Sequence, residues 1–473
     1  MIEADGTSAT VSVGPTQIPV THEADVVVVG GGPGGFAAAL KAARMGVSVI
    51  LIERFDMPGG VHTSGLQGAA GPGVGGIHTE LMNLFEDRGY IYTATQDTHP
   101  GWAGNPLAHY ECKMKSGSDF TRASFNPEGA GSVMAGLLEE AGVTALYGAS
   151  FVEAVVSREA APRRIEAIII ETASGRQAIR GKIFIEGSGT GQLAAAAGAP
   201  FVRGGGGQPD SADWDGVKRP IPGGLLWTMT GVKYDRLIKH QEDAKDPWLE
   251  KVIAEATSAG DLPPGLYRPR MGGSGVYGEH YIGHPTLDMS PFQDNGTFII
   301  WQNVPYEWAP HMDDTAEDDA KAKLALRRFI DAESLFLRKY VPGFEDATLA
   351  NVGRFVGIRD GRHPIGEHVF CLEDVLSGQR FRDAVTKPMT KTFFWDGYRK
   401  HEFEVPFRSF LPKDVDNLIL TGASLSFTYE TIFMVMRNIP WCTQTGEIAG
   451  FAAGRALEKG LTPKELDWRE AYF

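Results

Sequence analysis

Cysteine is scarce in this chain. Three occur among 473 residues: Cys112, Cys371 and Cys442, far apart and with no CxxC pair. Neither a disulfide framework nor a thiolate-held zinc or iron–sulfur site is expected from them. No run of about 18 uncharged apolar residues is present, so no membrane span is expected. Met1 to Glu23 lacks the basic and apolar segments of a secretory leader, and the reducing cytoplasm is the expected compartment. Positive charge is short as well, with 45 Lys and Arg against 59 Asp and Glu, a formal net charge of −14. Such a chain offers no basic face to a phosphate backbone, so nucleic acid is not an expected partner. His280 and His284 have helical spacing, but Gly283 and Pro285 break any helix there. No third or fourth ligand follows, and no metal site is expected.

Glycine is abundant, at 59 residues, and it falls in clusters. At roughly 150 residues per domain the length suits two or three domains, or one large unit with a second lobe. The most informative cluster follows Asp25-Val-Val-Val-Val29, a β-branched run that reads as a strand buried on both faces. Gly30-Gly-Gly-Pro-Gly-Gly35 comes next, then a breaker-free Ala-rich helix over Phe36–Met45, stopped by Gly46. The apolar run Val47–Ile52 ends in Glu53. Strand, glycine turn, helix, strand and acid make a βαβ unit. Gly30, Gly32 and Gly35 match GxGxxG: a tight turn, close backbone approach to a pyrophosphate, and close helix–strand packing. Glu53, at the second strand's end, suits both hydroxyls of a ribose. The alternative is a glycine turn in an unrelated α/β protein, which does not require the acid.

Further along, helices are expected over Ile77–Arg88, Pro127–Ala141, Ala316–Tyr340 and Thr445–Leu457. Strands are expected over Val143–Tyr147, Phe151–Val156, Ile165–Glu171, Ile179–Glu186 and Leu418–Leu420. Residues 203 to 400 are rich in Trp, Tyr, Pro and Gly and lack βαβ rhythm. The expected organisation is therefore a discontinuous nucleotide-binding domain over 24–58, 126–202 and 404–473. A substrate or cap domain, mainly β, is expected over 59–125 and 203–403, with 1–23 as an N-terminal extension.

Several segments in succession carry a family resemblance. Ile52-Glu53-Arg54 follows the glycine turn, then Gly59-Gly60-Val61-His62-Thr63. Asn126-Pro127-Glu128 leads to Glu139-Glu140-Ala141-Gly142-Val143, and Ile185-Glu186-Gly187-Ser188-Gly189 to Ala197-Gly198-Ala199-Pro200. Gly357-Ile358-Arg359-Asp360-Gly361-Arg362 precedes Glu373-Asp374-Val375-Leu376-Ser377-Gly378. Pro406-Phe407-Arg408-Ser409 precedes Asp416-Asn417-Leu418 and Gly422, and a helix from Arg437 to Leu457 closes the pattern. All but residues 1–23 resembles the FAD-dependent oxidoreductases with a glutathione-reductase-type, Rossmann-like FAD-binding domain. Succinate dehydrogenase and fumarate reductase flavoproteins are more distantly similar. Two departures stand out: Ser188 and Thr190 replace acids, and Gly422-Ala423-Ser424 replaces the usual Gly-Arg or Gly-Asp.

The resemblance implies FAD as cofactor. It implies that Gly30, Gly32, Pro33, Gly34 and Gly35 line the pyrophosphate, Glu53 meets the adenosine ribose, and Arg54 flanks the adenine. Backbone near Val152 would touch adenine. Gly187, Ser188 and Gly189 would pass the cofactor, and Gly422 would approach the phosphate–ribitol side. The helix near Gly446 would aim its N-terminus at the flavin pyrimidine. Gly60, His62 and Thr63 would lie where the chain passes the flavin's reactive edge. There His62 either bonds the flavin 8-methyl position, making the FAD covalent, or hydrogen-bonds the ring; a half-buried packing role is the third reading.

For catalysis the candidates are Arg359, Arg362 and His363, with His62. Arginine offers a two-pronged donor to carboxylate or carbonyl oxygens, and histidine has a usable proton affinity. Structural pairing with acids is the competing reading for both arginines. Tyr277, Tyr281, Trp301 and Tyr306 either shape an aromatic pocket or pack a core. The expected activity is a dehydrogenase or oxidase that passes hydride from a small organic substrate to flavin N5, reoxidised by oxygen or a quinone-like acceptor. The alternatives are an NAD(P)H-using flavin monooxygenase or reductase, disfavoured by the lack of a second GxGxxG unit, and a binding protein that holds FAD structurally. The oligomeric state stays open.

Overall fold

The computed structural model describes residues 16–70, 75–95, 122–157, 162–203, 223–245, 250–262, 296, 298–303, 316–358, 361–386, 403–428, 431 and 439–467. The first layer is built from β1 (Val20–Val29), α1 (Pro33–Arg44) and β2 (Val49–Glu53). Val26–Val29 and all of β2 are buried, as a parallel strand covered on both faces requires. Pro33 opens α1 in its first turn, where no amide is needed. Then come β3 (Ala69–Ala70), α2 (Gly76–Asp87), β4 (Ile91–Thr95), β5 (Arg122–Phe125), α3 (Pro127–Glu140), β6 (Thr144–Tyr147), β7 (Ser150–Val156), β8 (Ile165–Thr172), β9 (Gly175–Glu186) and α4 (Gln192–Ala196). The Asn126 side chain caps α3 by accepting from the amides of Glu128 and Gly129.

The main sheet has the order β6-β2-β1-β9-β8-β7, and β15 (Leu418–Leu420) pairs with β9. Pairing is parallel for β1 with β2 and β9, β2 with β6, and β15 with β9. The first half of β9 instead carries β8 and β7 as an antiparallel meander. One face is closed by α1 and by α9 (Ile439–Lys459), which lie together. Gly446, Gly450 and Gly454 form a stripe on α9 at spacings of four. Cβ atoms there would sit 2.0 Å from Gly34 O, 2.3 Å from Ala38 O and 2.8 Å from Met45 Cβ. Each interior glycine costs a helix about 1 kcal/mol relative to alanine, and backbone-to-backbone contact with α1 is what it allows.

Part of the segment expected in the cap belongs to this layer. Ile77, Leu81 and Phe85 of α2, one turn apart, join Phe125 in the core that holds Val26–Val29. The Glu447 carboxylate of α9 accepts the Ile77 amide at 3.0 Å and pairs with Lys41 of α1 at 3.6 Å. α2 is thus fastened to the nucleotide-binding domain at its first turn.

The inserted unit is centred on β11 (Gly224–Thr230), flanked antiparallel by β12 (Phe298–Asn303) and β13 (Thr348–Val352). It also contains α5 (Tyr234–Ala244), α6 (Glu250–Ser258) and the 25-residue α7 (Ala316–Tyr340). Among its described residues, helix contributes beside the sheet. Trp227, Leu326, Phe336 and Phe344 form its separate core. β10 (Phe201–Arg203) pairs with β14 (Arg362–Pro364) in a two-stranded ribbon that packs on α4, and the short α8 (Leu372–Leu376) follows. Arg408 pairs with Asp383 at 2.8 and 3.0 Å; burial pushes the Asp383 carboxyl up, and the arginine's hydrogen bonds outweigh it, leaving a net depression. Among the described residues, no helix is long and apolar enough to cross a membrane.

Candidate cofactor and substrate site

The carboxyl ends of β1, β2, β9 and β15 meet at one edge of the sheet, where open α/β sheets bind ligands. At the end of β1, Gly30 holds a φ of +95°, and a Cβ on it would fall 2.5 Å from Gly187 O. A Cβ on Gly35 would fall 1.8 Å from Gly30 O, and one on Gly187 would fall 2.8 Å from Gly35 Cα. The two glycine turns, one after β1 and one after β9, therefore lie backbone against backbone. Gly32 caps α1 and supplies no side-chain acceptor to its first turn, which leaves an amide-rich, dipole-positive end suited to an anion.

Each turn is organised by a buried glutamate. Glu53, at the end of β2, is 5% exposed and accepts the Gly31 amide at 2.7 Å and the Phe55 amide at 2.9 Å. Burial pushes its pKa up, against the pull of those amides. Burial, then the Glu53 carboxylate, push the nearby Tyr147 phenol up to about 12, so it stays neutral. Each Glu53 oxygen keeps a second lone pair, enough for ribose hydroxyls. Glu186, at the end of β9, is fully buried. One of its oxygens accepts Ser188 N–H at 2.8 Å; the other accepts Leu193 N–H at 2.8 Å and Ala194 N–H at 3.1 Å. Burial pushes its pKa up too. Sequence reasoning took Glu186 only as a strand end. The available signal was an acid closing a buried strand just before a glycine turn, the same pattern as Glu53.

Other segments close on this edge. Gly59 N–H donates to Gly31 O at 2.7 Å, and a Cβ on Gly60 would fall 3.0 Å from Gly32 Cα. Thr63 is buried with its hydroxyl donated to Pro58 O at 2.6 Å. Gly422, at φ +61°, donates its amide to Thr445 Oγ1 at 3.0 Å. The hydroxyl of Ser424 accepts Gly191 N–H at 3.1 Å, so this departure from the family pattern joins the turn after β15 to the turn after β9. Val152 lies at a register shift between β7 and β8. An extra residue at such a bulge is left out of the ladder, which suits a backbone contact.

The family model described as FAD dependent oxidoreductase matches residues 25–471. The chain belongs to the FAD-dependent oxidoreductase family. Dihydrolipoyl dehydrogenase of Manduca sexta is similar over 44 residues at 50% identity, 9% of this chain and 9% of that protein. The mitochondrial dihydrolipoyl dehydrogenase of Caenorhabditis elegans is 50% identical over 40 residues, 8% of each chain. The chain thus matches under a tenth of the length of these curated relatives. Among solved structures, a geranylgeranyl bacteriochlorophyll reductase-like protein of Thermoplasma acidophilum aligns over 93% of this chain and 80% of its own, at 15% identity and a TM-score of 0.45. The p-nitrophenol 4-monooxygenase of Pseudomonas putida aligns over 94% and 83%, at 13% identity and a TM-score of 0.43.

The residues fit the family's FAD. The uncapped start of α1, the interlocked glycine turns and the Glu53 carboxylate offer what a diphosphate and a ribose require. Packing bears on two further residues. α9 runs from Ile439, about two turns before Gly446, and Gly446 faces Gly34 across the helix pair. It serves the α1–α9 contact. His62 is fully enclosed, its ring edge-on to Phe125 at 5.2 Å, with neither ring nitrogen hydrogen-bonded. Burial, then nearby His78, hold its pKa well below the usual histidine range, so the ring is neutral. That enclosure favours the packing reading of His62 over a bond to the flavin methyl group. Acid precipitation of the purified enzyme is expected to leave all yellow colour in the supernatant; a yellow pellet would show a covalent link and overturn this.

Of the catalytic candidates, Arg359 lies outside the described residues. Arg362 and His363 are neighbours in β14, and successive strand residues point to opposite faces. Arg362 shares its face with Phe201, its guanidinium 6.0 Å from that ring. His363 pairs with Val202 and is 4% exposed. The two side chains do not form one constellation. Tyr277, Tyr281, Tyr306, His280 and His284 also lie outside the described residues. Among the described residues no group of three or more metal-ligating side chains occurs.

Proposed function

We propose that this enzyme is a dehydrogenase or oxidase that removes hydride from a small organic substrate whose carboxylate or carbonyl oxygen is held by Arg362. Bound FAD supplies the two-electron acceptor. The observation that carries the proposal is the seat of β14: a Cβ on Gly191 would fall 3.0 Å from Arg362 O and 3.3 Å from Arg362 Cβ. Arg362 is thereby fixed beside the turn that closes the cofactor edge, on the same face as Phe201. The chain's part is to grip the nucleotide with main-chain amides, to anchor and orient the substrate with a planar guanidinium, and to cover both with the inserted unit. Electrons then leave to oxygen or a quinone-like acceptor, and the scarcity of cysteine supports a cytoplasmic setting.

Anaerobic mixing with a panel of hydroxy acids, amino acids and amines, followed in the visible absorbance, is the test. At least one carboxylate-bearing compound is expected to bleach the holoenzyme. Arg362→Ala is expected to lower kcat/KM for it by about 100-fold, the loss of a charged hydrogen-bonded anchor. Bleaching by NAD(P)H alone, with no response to any organic donor, would overturn the proposal in favour of a monooxygenase or reductase.

A further inference from the structure

A three-residue strap between β13 and β14, Gly353-Arg354-Phe355, ties the inserted unit to the adenosine end of the cofactor site. Gly353 N–H donates to Leu226 O of β11 at 2.7 Å, and Arg354 N–H donates to Ser64 O at 2.9 Å. The Arg354 guanidinium pairs with Asp56 and reaches Glu128 at 4.0 Å. Phe355 stacks on Phe55 with ring centroids 4.8 Å apart and planes 20° apart. The Arg54 guanidinium lies 4.7 Å from the Phe55 ring and 5.4 Å from the Phe355 ring. Arg54 directly follows Glu53, whose carboxylate organises the first glycine turn.

We propose that Phe355 is a positioning residue for FAD: with Phe55 it holds the Arg54 guanidinium in place for the adenine, so the inserted unit completes the adenosine end of the site. This rests on Arg54 flanking the adenine and is independent of which substrate Arg362 holds. A flexible exposed arginine otherwise samples many rotamers. The stacked pair of rings beside it narrows that range and holds the guanidinium near the end of β2, ready to stack. Docking of the inserted unit and retention of the cofactor are thereby coupled.

The rate of FAD release from diluted holoenzyme, followed by the rise in flavin fluorescence, tests this. Arg54→Ala is expected to release FAD about 10-fold faster, and Phe355→Leu, which keeps bulk but lacks a π face, about fivefold faster. Phe355→Tyr is expected to behave as wild type. In the Arg54→Ala background Phe355→Leu is expected to add less than about twofold, because the two act through one contact. Equal acceleration by Phe355→Leu with and without Arg54 would overturn the coupling. No acceleration by Arg54→Ala would overturn the adenine contact itself. Neither result touches the bleaching experiment, so the two proposals fail separately.

Discussion

Gly35→Ala is expected to yield a colourless protein. Alanine is the better helix former by about 1 kcal/mol, so a change inside α1 would stabilise if propensity decided the outcome. Space decides it instead. The new Cβ would lie 1.8 Å from Gly30 O and 3.0 Å from Gly30 C, and a main-chain carbonyl, unlike a side-chain tip, has little freedom to yield. The turn must open or α1 must lift, and either move carries the pyrophosphate-facing amides away. A loss of FAD affinity of about 100-fold or more follows, roughly 2.7 kcal/mol. The ratio of flavin to protein absorbance after purification checks it. A variant that retains full colour would show that the two turns do not interlock as described.

Glu186→Ala is the second large effect. It deprives three main-chain amides, those of Ser188, Leu193 and Ala194, of their acceptor. At about 1–3 kcal/mol for each unsatisfied buried donor, a loss of roughly 3–9 kcal/mol is expected, together with loss of FAD, since the turn that holds Ser188 abuts Gly30. Glu186→Gln keeps one acceptor oxygen and is expected to lose about half as much. The pH dependence separates charge from shape. Burial raises the folded-state pKa of Glu186 above its unfolded value. Wild-type stability therefore falls as pH rises through that raised pKa. Glu186→Gln carries no charge at any pH and removes that share of the slope. Denaturant midpoints across pH 4 to 8 check both; a Gln variant with an unchanged slope would remove Glu186 from this account.

Much of the nucleotide-binding layer was legible because its local signals agree. Val26–Val29, the glycine turn, an Ala-rich helix and the acid at the end of β2 each point to a βαβ unit, and β1, α1 and β2 follow them. Ala316–Tyr340 and Leu418–Leu420 match their expected ranges. Where signals act at a distance, reading failed. α9 covers Ile439–Lys459, longer than the small-residue run Thr445–Leu457 and close to the Arg437–Leu457 range of the family pattern. The Gly446, Gly450 and Gly454 stripe passed unnoticed because its partner backbone is some 400 residues away in sequence. The contact of His62 with Phe125 comes from a distant strand, so its own segment does not announce it. Arg362 and His363 are adjacent in sequence and separated by strand alternation, which cannot be seen until β14 is known to be a strand. Glu186 repeats the Glu53 pattern but was passed over, because its partners are main-chain amides rather than side chains.

The close seam between α1 and α9 has a consequence for biogenesis. The amides that grip the coenzyme emerge early from the ribosome, while the helix that backs them comes roughly 400 residues later, about 20–80 s at ordinary elongation rates. Until then the back of α1, including Gly34 and Ala38, has no cover. Coenzyme capture is therefore expected to wait for nearly complete synthesis, and a chain interrupted before residue 439 is expected to retain no flavin.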